Sequence, residues 1–269
     1  MKQKIFRLLG IASIIFVCFE VLATPILQQR AQVIGATQLS ERFNIANGAI
    51  GHPDLSPLPN EPDAIGDAIA LIKIPKLKIE QVVFEGGDSE VTQKGIGHFS
   101  GSSGIAEYGM SILVGRRMTW GASFHNLDKL NIGDKLTTLT VAGPMDYKVT
   151  KLNASIEDLN AQYSKSMLAL VTSTPEGISS SDYIVLAKAT KPPYLSIPQN
   201  RYSGKGLREG SFNFQFILYL ILLIGLMFFW NKFSIIFGKP IAWAIFMPTG
   251  LSLMILFVRE LDKLMPPTL

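Results

Sequence analysis

Few side chains in this sequence could do chemistry. Cysteine occurs once, as Cys18 inside an apolar stretch, so the rest of the chain offers no thiolate. The nucleophile candidate is instead a hydroxyl, Ser173, in Leu170-Val171-Thr172-Ser173-Thr174-Pro175. A serine hydroxyl attacks a carbonyl only when a base takes its proton. The second phrase, Val114-Gly115-Arg116-Arg117, brings two guanidinium groups. These stay protonated and cannot act as that base. Asp182 offers a carboxylate, but one titrating at its ordinary value of about 4 is a poor base for an alcohol. Arg117, Met118, Trp120, His125, Thr172 and Thr174 are candidates to line a groove around Ser173. His98 lies in a glycine-rich phrase that suits packing or hydrogen bonding, and His52 lies among prolines. The three histidines are scattered, without a cysteine or acidic cluster, so no metal is expected and no cofactor motif is found.

The elements that must position these residues are short β runs. Residues 70–74, 81–84, 111–114, 135–141, 145–152, 167–172 and 182–189 are rich in β-branched side chains, and most are bounded by Gly, Pro, Asn or Asp. Only brief helical pieces are expected, near Ser89–Lys94 and Asn126–Leu130. The pattern predicts a mainly β unit over 68–190, a sandwich or closed barrel of seven to eight strands. That unit is large enough for its own core. It holds as many basic as acidic residues, and nothing in it suggests nucleic-acid binding.

Apolar residues make up 48% of the chain, more than one ordinary soluble domain needs, and the excess sits at the ends. Lys2, Lys4 and Arg7 precede an apolar run, which gives an anchor or a cleaved signal peptide with its site at Ala23 over residues 1–27. Residues 28–67 read as a proline-bearing extracytoplasmic linker, with a short helix possible over Gln28–Phe43. A basic linker follows the β unit over 191–211. Two further apolar segments within 212–258 are each close to the ~20 residues a membrane helix needs and read as a transmembrane hairpin. Lys232 and Lys239 in its link, with the N-terminal lysines, put both on the cytoplasmic side and the β unit and the tail 259–269 outside. Arg201, Lys205 and Arg208 then lie outside, where anionic polymer or lipid headgroups would meet them.

Six phrases in order resemble the sortases, the bacterial cysteine transpeptidases that attach proteins to cell surfaces. Ile72-Lys73-Ile74-Pro75-Lys76-Leu77 resembles the opening strand of that family. Val83-Phe84-Glu85-Gly86-Gly87 and the phrase Lys94 to Gly101 resemble the next two signatures. Phe124 to Asp134 resembles the phrase after the catalytic histidine. Together with the Ser173 and Arg116 phrases, the similarity covers roughly Ala68–Lys188 and is of a class C or E kind. It implies a sortase-like closed β-barrel with transmembrane helices at both ends.

The resemblance also implies where catalysis belongs, and all three positions are substituted. Arg116 stands where the family has histidine, Ser173 where it has cysteine, and Asp182 where it has the oxyanion-stabilising arginine. An aspartate there would repel developing negative charge, whereas losing one donor alone costs about 2.7–4 kcal/mol. The exchange suggests an Arg116–Asp182 salt bridge in a retired site. The expected protein is a membrane-embedded, surface-displayed sortase homologue, catalytically inactive. Its partner would be a bacterial surface-protein precursor, another peptide or a membrane protein. One alternative is an active serine variant, with Asp182 as base and Arg116 stabilising the oxyanion. Another is a structural subunit assembled through its hairpin. The stretch Met265-Pro266-Pro267-Thr268-Leu269 faintly echoes a sorting signal but lacks its glycine and following apolar run, and no role is expected for it.

Overall fold

The computed structural model describes residues 19–50, 64–159, 165–174, 181–192, 215–237, 239–263 and 268. Cys18, Pro175, His52 and most of the two predicted linkers lie outside these residues. Two compact units result, one of residues 20–209 with 266–269, the other of residues 1–19 with 210–265.

The first unit is a closed barrel. Its strands are β1 (Ala68–Ile74), β2 (Ile79–Glu85), β3 (Ile96–His98), β4 (Gly109–Val114), β5 (Lys135–Thr140), β6 (Gly143–Lys151), β7 (Ser166–Thr174) and β8 (Ser181–Ala189). They close in the order β1-β2-β3-β4-β7-β8-β6-β5. Closure leaves no free sheet edge. Seven strands were legible from their β-branched runs. β3 was not, because Ile96-Gly97-His98 is short and glycine-bearing; it pairs in parallel with β2 through Val83–Ile96 and Glu85–His98.

Alternation along β7 builds two cores. Leu168 and Leu170 point into the barrel with Ile72, Val83, Leu113, Leu136 and Val185. Met167, Ala169 and Val171 face outward and pack with Met110, Ile112, Val114, Leu159 and Ile184. β7 is therefore buried on both faces, which explains its continuous apolar run. The outward row continues by period two from Val171 to Ser173 and from Ile184 back to Asp182. The register sets Ser173 directly opposite Asp182 across β7 and β8. β4 runs parallel to β7 with Val114 beside Val171, so the chain delivers Arg116 and Arg117 to the same end. Gly115 makes this turn possible: a Cβ there would lie 2.5 Å from the Phe124 ring.

Short helices complete the unit: α2 (Ser89–Thr92) and α3 (Ile156–Leu159), with a 3-10 turn at Leu127–Lys129. Before the barrel, α1 (Thr24–Ile50) is far longer than the expected Gln28–Phe43 piece and begins within the segment assigned to the anchor. It packs on the barrel through Leu39, which clusters with Ala68, Val82, Phe84 and Val91. Close approach depends on Gly35, where a Cβ would meet the Phe84 ring at 2.6 Å. Gln32 completes the joint. Its Nε2 donates to the carbonyls of Lys94 at 2.8 Å and Val82 at 3.2 Å, and its Oε1 accepts from Val82 N at 2.7 Å.

The second unit contains α4 (Gln215–Phe237) and α5 (Lys239–Lys263), two adjacent helices where the sequence placed a hairpin. Trp230 and Phe246 meet edge-on between them, with ring centroids 5.8 Å apart. Among the described residues, no helix is long and apolar enough to cross a membrane.

Candidate functional site

Ser173 ends the outward row of β7 and is fully buried. Its Oγ donates to the main-chain carbonyl of Thr268 at 2.9 Å. The same oxygen accepts the N–H of Arg117 at 3.2 Å and the N–H of Ser173 at 3.4 Å. Three donors from two strand ends thus converge on one carbonyl oxygen. Thr268 is itself fully buried. The stretch Met265–Leu269, for which no role was expected, therefore places a residue at the site.

The two neighbouring arginines divide their work. Arg117 sends Nη1 to the carbonyl of Ser173 at 3.2 Å, and its Nη2 lies 3.5 Å from Asp128 Oδ2. It holds the end of β7 from the side while its own N–H reaches Thr268. Arg116 is wholly buried, and its guanidinium is engaged elsewhere. Nη2 donates to Ser89 Oγ at 2.6 Å and to the Ser89 carbonyl at 3.3 Å; Nη1 donates to Thr119 Oγ1 at 2.9 Å and Nε to Thr92 Oγ1 at 3.3 Å. A buried guanidinium needs such a set of acceptors to offset lost hydration. Sequence reading linked Arg116 to Asp182 and did not foresee these hydroxyls on α2 and the following loop.

The remaining candidates fall around this point. Thr172 is buried and donates its hydroxyl to the Gly115 carbonyl at 2.9 Å, tying β7 to the turn after β4. The Thr174 carbonyl accepts from Ser181 Oγ at 3.0 Å. His125 Nδ1 lies 3.1 Å from the Arg117 carbonyl. A carbonyl only accepts, so Nδ1 donates here, and Nε2 is the ring nitrogen left to accept a proton. Met118 is exposed, whereas Trp120 is buried in left-handed backbone at φ 51° and donates its N–H to Thr24 Oγ1 at 3.2 Å. Trp120 therefore braces α1 against the loop. Tyr183, beside Thr172 in the register, has its phenol held above the usual 10.0 by burial and by Asp128, partly opposed by Arg117. It stays neutral at physiological pH and is no base.

A second polar cluster lies at the β2–β3 edge. His98 Nε2 lies 2.9 Å from the Ser103 carbonyl and 3.2 Å from Ser102 Oγ, whose single proton goes to the Phe99 carbonyl at 2.6 Å. Nε2 is therefore a donor. Nδ1 faces Glu85 Oε2 at 2.7 Å. Burial raises the Glu85 carboxyl, but hydrogen bonding and the charge of His98, with a further bond from Ser100, hold it below the ordinary 4.5. This matches the structural role expected for His98. A surface cleft of about 260 Å³ runs between Leu77–Gln81 and Gly121–Ser123 and includes none of Arg116, Ser173 or Asp182. No metal-binding group of His, Cys, Asp and Glu occurs among the described residues.

Residues 72–190 match the model of the sortase domain family. Sortase D of Bacillus subtilis (strain 168) is 31% identical over 130 residues, which is 46% of this chain and 64% of that protein. The chain thus spans somewhat less than two thirds of that relative. Among solved structures, the Clostridium perfringens sortase D5 transpeptidase is 24% identical, covering 61% of this chain and 99% of its own, with a TM-score of 0.49. A Clostridium perfringens sortase C, solved with the C-terminal cell wall sorting motif, is 23% identical, covering 58% and 89%, with a TM-score of 0.44. Over residues 72–190 the barrel is thus similar to the sortase domain family.

Proposed function

We propose that this protein is a membrane-anchored, surface-displayed sortase homologue that binds a peptide segment and does not cleave it. The observation that carries the reading is the use made of Ser173. Its hydroxyl proton is spent on a carbonyl oxygen, beside two amide donors, so the group at the nucleophile's position acts as a third donor. Attack requires the opposite arrangement, with a lone pair aimed at carbonyl carbon and a base holding the proton. Arg116 is a donor by nature, and the contact described for the Ser173 hydroxyl is to a carbonyl and not to a base. The groove candidates Arg117, Met118, Thr172 and Thr174 would then shape a recognition cleft for a surface-protein precursor or another peptide. The anchor, the hairpin and the external placement of the barrel belong to the same proposal.

A second reading keeps catalysis, because two amides on one carbonyl oxygen are also what an oxyanion hole requires. Mass spectrometry of a Met-Pro-Pro-Thr-Gly-Gly peptide incubated with the purified full chain separates the two. The expected result is no cleavage above the uncatalysed background. Cleavage that disappears in Ser173→Ala would overturn the inactive reading and establish a serine enzyme.

A further inference from the structure

We propose that the outer wall of the barrel carries a docking surface for a linear polyanion, built from Lys135, Lys148 and Lys188. It is separate from the Ser173 site and does not depend on the peptide-binding reading: Lys188 pairs with Met167 near the start of β7, whereas Ser173 lies at its other end. The register carries the inference. Lys135 of β5 stands directly opposite Lys148 of β6, and Lys148 stands directly opposite Lys188 of β8. The flanking residues Leu136, Tyr147, Val149, Ala187 and Ala189 belong to the core inside the barrel. The three lysines therefore point outward, and all three are exposed. Neighbouring strands lie about 4.8 Å apart, closer than the roughly 8 Å over which physiological salt screens charge. Like charges set directly opposite one another across a ladder are destabilising. The same barrel shows the stabilising alternative. Lys73 stands opposite Glu80 across β1 and β2 and meets it at 2.7 Å. Lys76 and Lys151 hold Asp134 and Asp158 at 2.8 and 2.7 Å. None of the three lysines of the row has an ion pair among the described residues. The acid nearest in the register is Asp146, two residues along β6 from Lys148, and it already accepts from Thr137 Oγ1 at 2.8 Å. Lys165, exposed two residues before Met167, adds a further cation beside the row.

The occupant is a flexible chain of anions rather than a bilayer. Successive strands of a sheet rotate by about 20–25° against one another, and a bulge between Val149 and Lys151 of β6 increases the local twist. The three ammonium groups therefore fan around a convex wall. A plane of headgroups meets such a wall along one strand, whereas a polymer bends to follow all three. None of the large apolar side chains of β5, β6 and β8 is exposed for insertion into lipid. Lysine, a compact cation on a flexible stem, holds an anionic backbone as a point charge and demands no fixed geometry from it. Cations about 4.8 Å apart are met in turn by a chain whose charges are separated by short uncharged spacers, as in a polyol phosphate. Binding such a chain relieves the repulsion that the row builds into the fold.

Titration of the full chain, in a non-ionic detergent, with poly(glycerol phosphate) tests this. The natural chain should bind the polymer, and less tightly as salt rises. Lys148→Glu reverses the central charge and should weaken binding at least about tenfold. The same variant should raise the Tm of the barrel, because a glutamate there would stand between two lysines. Lys148→Arg keeps the charge and should bind within about twofold of the natural chain. Opposite movements of affinity and Tm in Lys148→Glu are the signature of a docking surface, since a structural lysine would lose stability when its charge is reversed. No binding by the natural chain, unchanged binding in Lys148→Glu, or a fall in its Tm overturns the inference. Phosphatidylglycerol vesicles held through Lys148, with the polymer left unbound, would assign the row to a membrane and overturn the choice of occupant. An oligo-dT of equal total charge bound at least about tenfold more tightly than the polymer would assign it to nucleic acid, with the same consequence.

Discussion

Ser89 and Arg116 are joined twice, through the Ser89 hydroxyl at 2.6 Å and its carbonyl at 3.3 Å. Ser89 is the first residue of α2, whose start is fixed by Asp88 accepting from Val91 N at 2.8 Å. The guanidinium therefore stitches a capped helix to the end of β4 and, through Thr119, to the loop that follows. Arg116 is a structural cation here, held by hydroxyls and a carbonyl. The Ser173 hydroxyl, at the end of β7, gives its proton to the Thr268 carbonyl and acts there as a donor.

The Gln32 joint predicts a specific cost. Its amide imitates a strand edge, supplying an acceptor to Val82 N and a donor to the carbonyls of Val82 in β2 and of Lys94 just before β3. Gln32→Ala leaves the Val82 N–H without that partner in a region where Val82 is 2% exposed, which should cost about 1–3 kcal/mol. Gln32→Glu keeps the acceptor but sets a carboxylate against two carbonyls, and should cost at least as much. Urea unfolding monitored by circular dichroism measures both. Losses below ~0.5 kcal/mol in both variants would mean that α1 merely covers the barrel.

Stability should also fall in acid through Glu85. Its folded pKa lies below the ordinary 4.5 because the stabilising bonds and charge of His98 outweigh burial. A carboxylate with a depressed folded pKa contributes stability that is complete above its unfolded value. The contribution is lost as pH falls through the folded value, and so below about pH 4.5. Glu85→Gln should flatten this limb of a Tm-against-pH curve while lowering Tm at neutral pH. An acid limb of the same slope in Glu85→Gln would assign the loss to other carboxylates.

Much of the barrel was written in local pattern. β7 and β8 could be read because both bury β-branched runs, and their register then sets Ser173 opposite Asp182. β3 escaped because it is only three residues long and its pairing is non-local. The length of α1 escaped because its apolar residues do not form a strong stripe; Gln32 and Gly35 share its contacts with Leu39. The site was legible as positions and not as partners. Arg116, Ser173 and Asp182 share an end of the barrel. Ser89, Thr92 and Thr119 could not have been chosen, since hydroxyls carry no periodic signal. Thr268 escaped for a similar reason: its contacts run through a main-chain carbonyl, and every residue has one.

That reliance on the main chain gives the last prediction. Thr268 Oγ1 is buried and has no hydrogen-bond partner among the described residues. A buried hydroxyl left unsatisfied costs about 1–3 kcal/mol. Valine has nearly the same shape without that hydroxyl, and it keeps the carbonyl that Ser173 and Arg117 hold. Thr268→Val should therefore seat this residue more tightly. A gain of about 1 kcal/mol corresponds to roughly fivefold slower exchange at the Arg117 and Ser173 amides. Thr268→Ser keeps the hydroxyl and loses a buried methyl, so it should seat less tightly than the natural residue. The expected order of protection is valine, threonine, serine, measured by hydrogen exchange at one protein concentration. If valine protects less than threonine, the hydroxyl contributes to binding, and recognition at this position is not confined to the main-chain carbonyl.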